Sequence, residues 1–265
     1  MKMFVFLMKI IDCKTNICKI EISNDKQKTL ISFSPETKEL KFNDDNELSN
    51  FLIANEYQIR KILHNKRPKT FYKGFQVKFA LRDKKEVEAF NDRSKIIVLD
   101  KRKGNYKNYV KDKGLKKIYE LYTDGCFLEK DKSGGYAALI KSPEGNYNIY
   151  SYKTEIKSSC LIELLAAIEG LQILKNQEKI RIITDSQYVR KGLTEWIINW
   201  ELNDWHTANG EKVKNIKYWK LFDSLTNGKY IEFCWVKAHS NHFENTICDF
   251  FAKKMAEKNN YRISK

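Results

Sequence analysis

The stretch Ile182-Ile183-Thr184-Asp185-Ser186-Gln187-Tyr188-Val189 decides how this chain is read. Residues suited to a buried strand end abruptly in a carboxylate, and a helix-start signal follows at Ser186. The same figure stands earlier, in Leu121-Tyr122-Thr123-Asp124-Gly125. If the two strands are adjacent and parallel, both carboxylates reach the crevice where open α/β sheets bind ligands. Glu163 interrupts the apolar helical string Leu161-Ile162-Glu163-Leu164-Leu165-Ala166-Ala167, where a charge is costly unless paired or metal-bound. Asp249 lies near the start of a closing helix beside Cys248, Phe250 and Phe251.

Repulsion among such acids calls for a cation. Hard oxygen donors select Mg²⁺ or Mn²⁺, and four carboxylates without cysteine or a histidine pair argue against structural zinc. Two such ions, roughly 3.5 to 4 Å apart, can activate water and stabilise the leaving oxygen of an in-line phosphodiester attack. Singly, each acid has a plainer reading: Asp185 as a helix N-cap, Asp249 as a surface acid, Glu163 as a misplaced helix residue. The spacing and flanking residues of all four together carry the argument.

Outward from these strings, three strands from Tyr119 onward and then alternating helices and strands predict an α/β fold. Its mixed sheet carries helices on both faces. The first third reads as short alternating runs separated by Asn, Asp, Lys and Ser turns, which predicts antiparallel strands and a helix capped near Asp45 or Asn46. The resulting division is a small α+β domain over residues 1–100, a basic linker over 101–117 and a catalytic domain over 118–265.

The net charge of +15 attracts phosphate polymers, and it is concentrated. Residues 60–118 hold 20 Lys and Arg against 6 Asp and Glu, which is nearly the whole excess. That segment is a candidate for nucleic-acid binding, or else a solvated linker. The six cysteines form no C-x-x-C pair, and reduced thiols in a cytoplasmic protein are expected. The apolar run Phe4 to Met8, bracketed by lysines, is too short for a membrane span. No membrane association and no obligate protein partner are expected.

The strings Tyr122-Thr123-Asp124-Gly125, Gly134-Gly135-Tyr136, Glu163-Leu164-Leu165-Ala166-Ala167-Ile168 and Thr184-Asp185-Ser186-Gln187-Tyr188-Val189 resemble type 1 ribonuclease H. Trp196, Trp200, Trp205, Val213-Lys214-Asn215, Trp219, Trp235-Val236-Lys237-Ala238-His239 and Glu244-Asn245 before Cys248-Asp249 continue the match in the family's order, over about residues 119 to 258. The resemblance implies a five-stranded mixed sheet and an endonuclease that hydrolyses the RNA strand of RNA/DNA hybrids, leaving 5′-phosphate and 3′-hydroxyl ends. It implies that Asp124, Glu163, Asp185 and Asp249 hold two Mg²⁺ ions, with Mn²⁺ as substitute and Asp124 shared between them. His239 matches the family's histidine for product release or proton transfer. By the same pattern Gln187 and Ser159 face the RNA minor groove, Ser158 and Asn215 form a phosphate pocket for the DNA strand, and Trp196 and Trp200 pack on its sugars. Trp219 and Trp235 are expected in the core.

The chain departs from the pattern on the substrate side. The segment after the second helical tryptophan is basic in many relatives, yet here it reads Glu201-Leu202-Asn203-Asp204-Trp205-His206. Ser159 and Cys160 stand where amides are common, and Ile156 where a basic residue is. Two other readings stay open: a catalytically silent ribonuclease-H-like binding module, and another nuclease or transferase of the same superfamily.

Overall fold

The computed structural model describes residues 4–111, 114–237 and 242–257 and divides the chain into two compact units. The smaller unit comprises the N-terminal residues to Glu86 together with Ile198–Lys214, a segment from the middle of the C-terminal half. Its strands β1 (Phe4–Lys14), β2 (Ile17–Ser23), β3 (Lys28–Phe33), β4 (Leu40–Phe42) and β5 (Gln76–Leu81) form an antiparallel sheet in the order β4-β3-β2-β1-β5. Period-two alternation buries Phe6, Met8 and Ile10 from β1 against Leu48 and Leu52 of helix α1 (Glu47–Ala54) and Ile59 and Leu63 of α2 (Glu56–His64). Asn46 caps α1 by accepting a hydrogen bond from the Ser49 amide. The helical stretch divides at Asn55.

Thr15 and Asn16 both adopt left-handed backbone conformations, φ 44° and 63°, as a two-residue hairpin turn with right-handed strand twist requires. The turn sets Cys13 directly opposite Cys18, and the two form a disulfide. Reduced thiols were expected throughout. That holds for Cys126, Cys160, Cys234 and Cys248, and fails for the one pair that a tight turn makes cross-strand partners.

The larger unit comprises residues from Val87 to Ile197 and from Asn215 onward. Its sheet includes the five expected strands, β8 (Tyr119–Leu128), β9 (Ser133–Lys141), β10 (Tyr147–Thr154), β11 (Lys179–Thr184) and β12 (Tyr230–Trp235). Two further strands extend it, β6 (Ile96–Asp100) and β7 (Tyr106–Val110), giving the order β10-β9-β8-β11-β12-β6-β7. The boundary expected near residue 100 therefore falls earlier in the chain, and the stretch read as a linker contains a strand. The reason lies in β6. Buried at every position, it belongs inside a sheet covered on both faces and not at the rim of a small domain.

Strand alternation distributes the helices of this unit. Leu121 and Gly125 of β8 face helix α4 (Ser159–Ile173), while Tyr122 packs with Cys248 and Ala252 of α8 (Phe243–Glu257), so the two helices cover opposite faces. Glycines set how near they come. A Cβ on Gly125 would lie 2.8 Å from the Glu163 amide nitrogen, and one on Gly135 would collide with the Ala252 carbonyl of α8. Gly135→Ala is expected to destabilise the protein by roughly 1–3 kcal/mol, because the obstacle is backbone and cannot swing aside. Urea unfolding of the two proteins side by side measures this, and equal midpoints would contradict it.

Candidate active site

The register between β8 and β11 is parallel, with Ile183 opposite Tyr122. Two residues farther on, both strands reach their aspartates at the same level; Asp185 follows the end of β11 as expected, whereas Asp124 lies within β8, paired with Ala137 of β9, and does not end its strand. Helix α4 delivers Glu163 beside them through the close approach that Gly125 permits. Carboxylate oxygens of Asp124, Glu163 and Asp185 lie within 4.8 Å of one another. They line a cavity of about 520 Å³ whose wall also includes Phe127, His242, Asn245 and Asp249.

Electrostatics in this cavity run against ionisation. Burial and then the charge of Asp185 push the Asp124 carboxyl up to about 7, against a hydrogen bond from the Gly125 amide that favours the carboxylate. Glu163 is raised well above the usual carboxylate range, by burial first and then by Asp124 and Asp185. Its Oε2 is buried and has no hydrogen-bond partner among the described residues. Three hard oxygen ligands, one of them an orphaned buried atom, fit a divalent cation.

The RNase H family model matches residues 116–257. The chain belongs to the ribonuclease H family. A ribonuclease H of Tolumonas auensis is 44% identical over 51% of this chain and 88% of its own length. One of Aeromonas salmonicida is 40% identical over 55% and 98%. The solved structure of LC9-RNase H1 gives a TM-score of 0.47 at 22% identity, over 53% of this chain and 72% of its own. The C-terminal half is a type 1 ribonuclease H catalytic domain, an endoribonuclease, and the family is dependent on divalent metal.

Within this ribonuclease H domain the structure brings three of the four expected acids into one cluster and sets Asp249 on the wall of the same cavity, where its charge also raises Asp124. His239 lies outside the described residues. Ser158 caps α4 by accepting from the Leu161 amide, and Ser159 follows it, both exposed at the helix start. Gln187 opens helix α5 (Gln187–Lys191), its Nε2 buried with no partner among the described residues. The Asn215 side chain donates to the Tyr188 hydroxyl at 3.4 Å. Trp196 ends a π-helical turn, Gly192–Trp196, edge-on to Tyr188 and Trp219, whereas Trp200 in helix α6 (Ile197–Leu202) packs against Trp205.

Trp219 is fully buried, as expected for a core residue. Trp235 is only half-buried, and its indole N–H donates to the Asp185 carbonyl while the Arg93 guanidinium stacks on its ring, 4.5 Å from the centroid. It positions a carboxylate as well as filling space. Asn245 is a wall residue for which the sequence alone suggests no role. It precedes Asp249 by four residues, hence shares its helical face, and its buried Oδ1 has no partner among the described residues. That spacing was the available signal.

Proposed function

We propose that this domain hydrolyses the RNA strand of RNA/DNA hybrids with two Mg²⁺ ions, Mn²⁺ substituting, and leaves 5′-phosphate and 3′-hydroxyl ends. The observation that carries the reading is the Asp124, Glu163 and Asp185 cluster, its oxygens within 4.8 Å, inside a domain that matches ribonuclease H. Bound divalent ions would supply Lewis-acid stabilisation of the attacking and leaving oxygens. The chain's own residues do the rest. Asp124, Glu163 and Asp185 hold the positive charge, Asp249 adds a fourth carboxylate on the cavity wall, and the Trp235 N–H fixes the backbone of Asp185. Ser158, Ser159, Gln187 and Asn215 offer short polar groups for 2′-hydroxyls and phosphates, which suits recognition that does not read base edges. His239 stands next to the site in sequence order and serves product release or proton transfer.

The test is a labelled RNA/DNA hybrid incubated with the full chain in Mg²⁺, beside duplex RNA and duplex DNA. Cleavage confined to the hybrid, abolished by EDTA, is the expected result. RNA fragments should ligate without prior phosphorylation. Comparable cutting of duplex DNA, or no cutting of the hybrid, would exclude the proposal.

A further inference from the structure

Part of the upstream positive charge is engaged within the protein. In the smaller unit, Lys66 is 3% exposed and its ammonium donates to the Ala208 carbonyl at 2.6 Å while sitting over the Phe75 ring. Burial pulls its pKa down to about 8, and its ammonium, turned onto Ala208 and Phe75, does not face solvent. Arg67 and Lys69 both pair with Glu211, at 2.7 and 3.3 Å. Strand β5 is an edge of its sheet, and the Asn203 side chain occupies that edge: the Lys78 amide donates to Oδ1 at 2.8 Å and the Lys78 carbonyl accepts from Nδ2 at 2.9 Å. One side-chain amide thus stands in for a neighbouring strand.

Within the larger unit, described by itself, an upstream lysine is likewise turned inward. Lys107 of β7 is 4% exposed and donates to the Thr194 carbonyl at 3.0 Å. Arg190 donates to the Phe90 carbonyl at 2.8 Å and lies over the Phe90 ring. Arg190 precedes the π-helical turn that ends at Trp196 and Thr194 lies within it, and Asn203, Ala208 and Glu211 follow Trp200.

We propose that Asn203 and Glu211, with the carbonyl of Ala208, are handholds by which upstream Lys66, Arg67 and Lys78 fix the Ile198–Lys214 segment, which carries Trp200 and Trp205, for the hybrid. The upstream residues then serve placement of the substrate-contacting tryptophans, in place of the phosphate attraction that composition suggests. The proposal rests on the hybrid-cleavage reading for its consequence, though not for the grip itself.

The full chain tests both. Asn203→Ala is compared with Lys84→Gln/Lys85→Gln, which removes exposed upstream charge and none of the grip. Hydrogen exchange over residues 198–214 reads the grip without reference to activity, and KM and kcat for hybrid at several salt concentrations read its use. Asn203→Ala should speed exchange in that segment at least about tenfold and raise KM severalfold. It should leave kcat within about twofold and the slope of log KM against log salt unchanged, while the double variant changes nothing. Unchanged exchange in Asn203→Ala overturns the grip. Faster exchange with unchanged KM overturns the placement role, and a reduced salt slope in the double variant assigns these residues to phosphate attraction instead. If the unmodified chain leaves hybrid intact, the reading of its function fails and the exchange result still decides the grip.

Discussion

Asp124→Asn is expected to lower hybrid cleavage by about three orders of magnitude or more and, at pH 8, to make the metal-free protein more stable. The first effect follows from removing a carboxylate that faces both Glu163 and Asp185; a thousandfold loss corresponds to about 4 kcal/mol of transition-state stabilisation. The second has the opposite sign and the same origin. The carboxyl rises from an ordinary 3.8 to about 7 on folding, so between those values the folded state binds a proton that the unfolded state releases. Stability of the metal-free protein therefore falls as pH rises through this window, and the full cost, up to about 4 kcal/mol, is present above pH 7. Asparagine carries no charge and escapes it.

Divalent metal should reverse the cost. Because it binds only the folded cluster, adding Mg²⁺ at pH 8 raises the melting temperature of the unmodified protein and does so far less for Asp124→Asn. The effect on the unmodified protein shrinks toward pH 5, where protons compete for the same oxygens. Melting curves of both proteins at pH 5 and 8, with and without Mg²⁺, measure all of this. A variant that melts no higher than its parent at pH 8, or that gains as much from Mg²⁺, would contradict the account even if its activity were lost.

The carboxylates were legible because each breaks an apolar string, and a charge in such a string requires a reason. The strands β8 to β12 were legible because apolar and aromatic residues dominate them, although β8, β11 and β12 also carry Glu120, Arg181 and Glu232. Strand β7 was hidden by the same logic. Its inward position is occupied by Lys107, whose ammonium reaches the Thr194 carbonyl and the Phe90 ring, so the stretch reads as a polar linker. The single helix expected after Asp45 or Asn46 is two helices, since nothing in the apolar spacing marks Asn55 as the break. Membership of Ile198–Lys214 in the smaller unit comes with long-range contacts such as Asn203 on the backbone of Lys78, 125 residues away, and Lys66 on the Ala208 carbonyl, and no local pattern carries those. Among the described residues no helix is long and apolar enough to cross a membrane, in line with the short N-terminal run.

Arg181→Met is expected to cost about 3–5 kcal/mol of stability, with hybrid cleavage by the folded fraction unaffected. Arg181 sits between Ile180 and Ile182 in β11, and the parallel registers set it opposite Glu120 of β8 and Glu232 of β12. Its guanidinium donates to Glu232 Oε2, to Glu120 Oε1 and to the Leu115 carbonyl, each at 2.7 Å. Glu232 is completely buried and also accepts from the Leu115 amide at 3.0 Å, so methionine would strand a carboxylate in the sheet. Arg181→Met/Glu232→Leu should recover most of the loss, because neither charge then remains to be desolvated. Urea midpoints of the single and double variants test this, and a double variant no more stable than the single would refute the pairing argument. Arg181 precedes Asp185 by four residues, roughly 13 Å along a strand, so the two charged clusters sit at different levels of one sheet. At one level the chain supplies its own cation. At the other, the charges acting on Asp124 and Glu163 are chiefly those of further acids, which is why Mg²⁺ should stabilise the unmodified protein and leave the deficit of Arg181→Met in place.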